Sequence, residues 1–121
     1  MSADIRDLEA AAANGHQRAC LALDTYAYAI KKYIGAYAAA LGGIDVLAFS
    51  GGIEENAAGM RARICSGLDF LGISIDLERN SSCHGEEDLI SAPGAPVQVW
   101  VVPTNEELIV ARETATVLAP A

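Results

Sequence analysis

The run Val46-Leu47-Ala48-Phe49-Ser50-Gly51-Gly52-Ile53-Glu54-Glu55-Asn56 constrains this chain more than any other, because a short apolar strand passes into paired glycines and then a helix start. Ile44 to Phe49 is too short for a helix and is bounded by glycines, so it reads as a strand buried on both faces. Such a strand delivers its turn to the edge of a sheet. There, glycines let backbone approach a ligand, and the next helix aims unpaired N–H groups at negative charge. That is the build of a phosphate or nucleotide site. The spacing fits neither the Walker A pattern, since no Lys-Ser/Thr follows, nor the dinucleotide fingerprint, since the glycines are adjacent.

Around this turn the periodicities predict mixed α/β structure. Asp4 to Ala13 reads as a short helix stopped by Asn14-Gly15, and Gln17 to Leu41 as a long one ended by Gly42-Gly43. On the long helix Leu23, Ala27, Ile30, Ile34, Tyr37 and Leu41 make one apolar face. Asn56 is a good N-cap for a helix whose line Met60, Ile64, Leu68, Leu71 closes near Gly72. Ile73-Ser74-Ile75 alternates like a brief strand, Arg79 to Glu87 reads as a surface loop, and Leu89-Ile90-Ser91 as a short edge strand. Val97 to Val102 is the second strong strand, ending at Pro103. Thr104-Asn105-Glu106-Glu107 then forms a capping box that opens a last helix, with Leu108, Ala111, Ala115 and Leu118 facing inward. The 121 residues make one domain, with no internal repeat or linker.

Several function classes drop out. A formal net charge of −8, with no basic cluster longer than Lys31-Lys32, repels a nucleic-acid backbone. A small phosphate compound is still compatible, because helix N-termini, one Arg and a divalent cation offset charge locally. Cys20, Cys65 and Cys83 are an odd set without C-x-x-C spacing, which suits reduced thiols in the cytoplasm. No apolar run reaches the length of a membrane span, and the first residues have no signal core. Cys83-His84 has no second ligand pair at zinc spacing, His16 is remote, and no serine is framed as G-x-S-x-G.

Two strand-to-helix junctions, Phe49 to Asn56 and Val102 to Glu107, place polar residues at the carboxyl ends of strands, where open α/β sheets bind ligands. Each candidate also has a bland account. Capping alone explains Asn56, a turn needing positive φ explains Gly51 and Gly52, and the helix macrodipole explains Glu106. Arg6 pairs as readily with a carboxylate on its own helix. The functional alternative for Glu106 is a hard cation such as Mg²⁺, which takes carboxylate oxygens beside substrate phosphates.

Taken in order, four motifs resemble the acetokinase family of the acetate and sugar kinase/Hsp70/actin superfamily. Ser2-Ala3-Asp4-Ile5-Arg6-Asp7-Leu8-Glu9-Ala10 resembles its S-S-D-x-R-D-L-E-x segment, and Lys32-Tyr33-Ile34-Gly35-Ala36-Tyr37 its K-x-I-G-x-Y helix. Phe49 to Asn56 resembles F-T-x-G-I-G-E-N, and Pro103 to Glu107 reads P-T-N-E-E. The resemblance spans nearly the whole chain. It implies the latter half of an actin-like ATPase domain, a small sheet packed by helices, in a phosphotransferase that moves a phosphoryl group between ATP/ADP and a short carboxylate, acetate or acetyl phosphate. Carried over, Asp4, Ile5 and Arg6 line the adenosine side of the nucleotide site. Gly52, Ile53, Glu54, Glu55 and Asn56 form the loop beside the nucleotide, and Glu106 positions Mg²⁺. The resemblance also implies a homodimer.

Two departures qualify it. Glu54 stands where the family pattern has the second glycine of G-I-G-E-N, adding a carboxylate beside anionic phosphates. The family's chains are also much longer, and everything before their S-S-D-x-R-D segment, including the acyl pocket, is expected to be absent. The chain alone is therefore expected to be inactive. A non-catalytic nucleotide-binding or dimerisation module, a propionate or butyrate kinase piece, and a decayed coding sequence stay open beside the acetate reading.

Overall fold

The computed structural model describes residues 5–50, 57–84, 86–103 and 109–111. The chain opens with α1, Ile5–Ala13, and α2, Gln17–Leu41, both where the sequence places them. His16 starts α2 by accepting the Ala19 N–H on Nδ1 at 3.4 Å. Gly42, at φ 77°, closes it in the left-handed conformation that glycine adopts without Cβ strain. The buried face of α2 is Ala19, Leu23, Ala27, Ile34 and Ala38. Tyr37 and Leu41, expected on that face, are exposed, and Ala38, one turn on from Ile34, takes the inner position.

Four strands form one mixed sheet: β1, Val46–Phe49; β2, Asp88–Leu89; β3, Gln98–Val101; and β4, Ile109–Ala111, in the order β2-β3-β1-β4. This bears out the expected α/β class and a sheet of short strands packed by helices. β1 and β3 are parallel, with Val46 opposite Gln98 and Phe49 opposite Val101. Leu47, Ala48 and Phe49 are all buried, the continuous burial of a central strand covered on both faces. β2 is an edge strand as expected, antiparallel to β3, but it spans Asp88–Leu89 and not Leu89–Ser91. Ile73-Ser74-Ile75 contributes only an isolated bridge, Ile75 to Ser91.

Three expectations are corrected. The helix after the glycine turn, α3, runs Ala58–Cys65 with Ala57 in the cap position and no side-chain cap. It stops seven residues short of Gly72, because Gly67 takes φ 82° and a single 3-10 turn, Asp69–Leu71, carries the chain on to Gly72. Asn56, the expected cap, lies outside the described residues. Arg79 to Glu87 is not a loop from its start: α4 runs Leu77–Ser82, capped by Asp76, whose Oδ1 accepts the N–H groups of Glu78 at 3.0 Å and Arg79 at 3.1 Å. Finally, Ile109–Ala111 is a strand where a helix was expected. Antiparallel pairing with β1, Ala48 opposite Ile109 and Val46 opposite Ala111, satisfies an edge that would otherwise leave main-chain groups unpaired, and β-branched Ile and Val suit it. The expected capping box, Thr104 to Glu107, with Leu108, Ala115 and Leu118, lies outside the described residues.

One core joins these elements. Leu23 and Ile34 of α2, Leu47 and Phe49 of β1, Met60 and Ile64 of α3, and Val99 and Val101 of β3 are among its fully buried members.

Candidate functional site

Parallel pairing of β1 and β3 fixes where the two junctions begin. Val102 donates its N–H to the Phe49 carbonyl at 2.9 Å, continuing the ladder past the ends of both strands. Ser50, fully buried, and Val102 therefore leave the sheet from adjacent points on one edge. In open α/β sheets that carboxyl edge is where ligands bind.

A further contact is made by the first turn of α3. α1 packs on α2, and Glu9 reaches the first turn of α3, so closely that a Cβ at Gly59 would stand 2.5 Å from Glu9 Oε2. What faces Gly59 from α1 is the free end of the Glu9 side chain. A carboxylate against the first turn of a helix that has no side-chain cap also faces the positive end of its macrodipole. Ile5 and Arg6 open α1, about 6 Å along the helix from Glu9 at 1.5 Å per residue. Asp4, Gly52, Ile53, Glu54, Glu55, Asn56 and Glu106 lie outside the described residues. What the structure brings together are the ends of β1 and β3, joined by the Val102 N–H to Phe49 bond, and, separately, Glu9 of α1 with the start of α3.

Behind this edge sits a polar network that the sequence did not disclose. Arg61, in α3, is fully buried, and its Nε donates to Asn80 Oδ1 at 2.7 Å. Its Nη2 donates to the carbonyls of Asn80 at 3.0 Å and Cys83 at 2.9 Å. Asn80 returns an Nδ2–H to the Ala58 carbonyl at 2.9 Å. The guanidinium so meets the carbonyl end of α4, where a cation is favoured. Burial lowers the Arg61 pKa, opposed by the thiols of Cys83 and Cys65 and by the Glu86 carboxylate. Burial also pushes the Cys65 thiol up to about 12, against the pull of Arg61 and Lys31. Glu86 is held below the usual carboxylate value by its own N–H and that of His84, with burial opposing slightly. An arginine beside Met60 reads as solvent-facing in a helix pattern. The one sequence signal for its partner is Asp76, an N-cap placing Asn80 one turn into a short helix.

A groove between Asp24, Ala27, Tyr28, Lys31, Arg63 and Ser66 lies at the other end of α3, and Arg63 there is engaged in an ion pair with Asp24. Among the described residues no three His, Cys, Asp or Glu side chains are grouped to hold a metal, and no helix is long and apolar enough to cross a membrane. The three cysteines are free.

The model of the acetokinase family matches residues 1–112. An acetate kinase of Desulforamulus reducens is 56% identical over 114 residues, covering 94% of this chain and 28% of the relative. Among solved structures, Porphyromonas gingivalis acetate kinase superimposes with a TM-score of 0.78 at 49% identity, over 83% of this chain and 25% of that one. A propionate kinase from Francisella tularensis gives 0.75 at 36% identity, over 86% and 26%. The chain thus spans little more than a quarter of the length of such relatives.

Proposed function

The chain belongs to the acetokinase family, and from that premise we propose that it is the carboxyl-terminal, nucleotide-side domain of an acetate kinase-like phosphotransferase. The observation that carries this reading is the shared sheet edge: Ser50 and Val102 depart side by side, and α1 is drawn to the start of α3 by the Glu9 contact at Gly59. In the sequence, residues 4–6 lead into α1, 52–56 lie between Ser50 and α3, and Glu106 follows Val102. In the family reaction a phosphoryl group passes between ATP and acetate, giving ADP and acetyl phosphate, and such transfer needs alignment and charge neutralisation above all.

In this reading Asp4, Ile5 and Arg6 bound the adenosine side. Gly52, Ile53, Glu54, Glu55 and Asn56 lie along the nucleotide, with N–H groups at the start of α3 favouring its negative charge. Glu106, three residues past Pro103 in the sequence, is the carboxylate donor that suits Mg²⁺, and the ion supplies charge neutralisation to the phosphates when bound. That donor chemistry, following the end of a strand parallel to β1, fits the group.

Because the relatives are more than three times as long, the groups that act on the acyl substrate are expected from residues outside this sequence. Removing groups that work as a unit abolishes turnover and does not scale it. The chain by itself is therefore proposed to bind Mg-ADP and make no acetyl phosphate. A fluorescent ADP analogue titrated with and without Mg²⁺ tests the first half of this, and acetyl hydroxamate formation tests the second. Absence of nucleotide binding overturns the reading, and hydroxamate above blank from the chain alone overturns its inactivity. Adding the remaining portion of a family member in trans is expected to restore hydroxamate formation.

The acyl chain length is left between acetate, favoured by the names of the relatives, and propionate, favoured by the propionate kinase superposition. Self-association as a homodimer is supported by Tyr33, Tyr37 and Leu41, exposed together on the last turns of α2. Reduced, partly buried thiols favour a cytoplasmic setting.

A further inference from the structure

The start of α3 matters most to the reading above, since it directly follows segment 51–56, yet its own cap position offers no side chain to hold it. Resting on the nucleotide reading, we propose that Asn80, locked by Arg61, is a positioning residue that fixes where α3 begins and so where the nucleotide loop ends.

The argument is one of donors and acceptors. Arg61 has only donors, so Asn80 must turn Oδ1 toward Nε; the Ala58 carbonyl has only acceptor capacity, so Nδ2 must face it. One amide orientation satisfies both contacts, and the flipped one breaks both. Asn80 is buried, and it comes from α4, whose first turn is itself fixed by the Asp76 cap. α4 thus serves as a post against which Ala58, the first residue of α3, is set. Arg61 adds two bonds to the carbonyl end of the same post, so α3 is held to α4 at its opening and one turn on. The hydrogen bonds of Asn80 go to Arg61, Ala58, Asp76 and Cys83, so its influence on a ligand passes through the Ala58 carbonyl.

Asn80→Asp separates this role from simple stability. Its carboxylate still accepts from Arg61, now as a buried ion pair, but it has no N–H for the Ala58 carbonyl. Asn80→Ala loses both contacts. Ile34→Ala, which opens a cavity in the core from α2 and removes no hydrogen-bond partner of this network, is the stability control. Each variant is titrated with the fluorescent ADP analogue and Mg²⁺ under conditions where circular dichroism shows it folded, and amide exchange is followed at residues 58–61. Asn80→Asp and Asn80→Ala are expected to weaken binding about tenfold, the worth of one buried hydrogen bond, with faster exchange at 58–61. Ile34→Ala is expected to stay within about twofold of the parent, as sites that share no partner act independently. If Asn80→Ala does not fold, Asn80→Asp carries the comparison. Parent-like affinity in folded Asn80→Asp overturns the inference, whether or not exchange accelerates. A parent chain that binds no Mg-ADP overturns the nucleotide reading first, and this inference with it.

Discussion

Replacing Arg61 by Met keeps an unbranched apolar stem in the same space and deletes every guanidinium donor of the buried network. Three acceptors then lose that donor: Asn80 Oδ1, the Asn80 carbonyl and the Cys83 carbonyl. A buried acceptor left short costs roughly 1–3 kcal/mol, so the gross loss is roughly 3–9 kcal/mol. Against it, the folded state no longer holds a guanidinium away from water, which returns several kcal/mol. The net is a loss of about 2–4 kcal/mol, or a fall in Tm of roughly 8–16 °C for a domain of this size. Urea denaturation followed by far-UV circular dichroism reads it as a lower midpoint at constant slope.

Arg61→Lys sharpens the test. An ammonium is more strongly hydrated and cannot serve acceptors spread along the guanidinium plane, so Lys should be no better than Met despite keeping the charge. Because the partners are buried carbonyl oxygens, neither loss should change in about 0.5 M salt, where exposed ion pairs are screened. The pair of Arg63 with Asp24 supplies the contrast, its Asp side chain being 66% exposed. Asp24→Asn should cost under about 1 kcal/mol, and less in salt. Wild-type stability in Arg61→Met, or full rescue by Lys, would refute the reasoning, since either would mean that the three bonds contribute nothing or that charge alone matters.

On the proposed nucleotide reading, Glu54→Gly should bind the fluorescent ADP analogue more tightly than the parent, since it restores the glycine of the family pattern and removes a carboxylate from the segment assigned to the phosphates; equal dissociation constants would refute this. Gly59→Ala places a methyl against Glu9 Oε2, the free end of a flexible side chain, so Glu9 should swing aside. Urea midpoints should then show a gain of up to about 1 kcal/mol from helix propensity, and a loss would mean that the Glu9 carboxylate is fixed in place. Cys65 has a folded-state pKa raised from 9.0 to about 12, so the folded chain keeps this proton longer than the unfolded chain. Its contribution is complete below pH 9.0 and declines toward pH 12, at up to about 1.4 kcal/mol per pH unit, and Cys65→Ala should flatten the alkaline loss in a pH series of urea melts. Ellman's reagent at neutral pH should modify half-buried Cys20 first, with Cys65 and Cys83 reacting only on unfolding.

What the sequence made legible follows from how local each signal is. α2 spans Gln17–Leu41 as expected because its stripe repeats over seven turns and glycine ends it. β1 was legible for the opposite reason, being too short and too apolar for anything but a covered strand. The misses concern elements that gain their stability from elsewhere. α4 is six residues long and polar, and only the Asp76 cap and the Arg61 bonds make it a helix. Ile109–Ala111 pairs with β1 because an edge is there to be paired, a fact of topology absent from the local pattern. In the candidate site, the convergence of the two strand ends was readable once both strands were recognised. The Glu9 approach at Gly59 and the Asn80 clamp join residues 50 and 19–22 positions apart, and no period or motif announces them.

The described core contains most of what a small domain needs, and almost none of the residues assigned to nucleotide. Leu23, Ile34, Leu47, Phe49, Met60 and Val99 close around one another, so the elements that aim the two junctions are set by packing within this sequence. Such a scaffold need not change when a loop residue does, which is how Glu54 can stand in a glycine position while the surrounding fold still superimposes on acetate and propionate kinases. Stability and chemistry are therefore separable here. Core substitutions should shift unfolding without altering ligand affinity, loop substitutions should do the reverse, and Asn80 is where the two meet, because its one amide belongs to the core and sets the residue at which the loop ends.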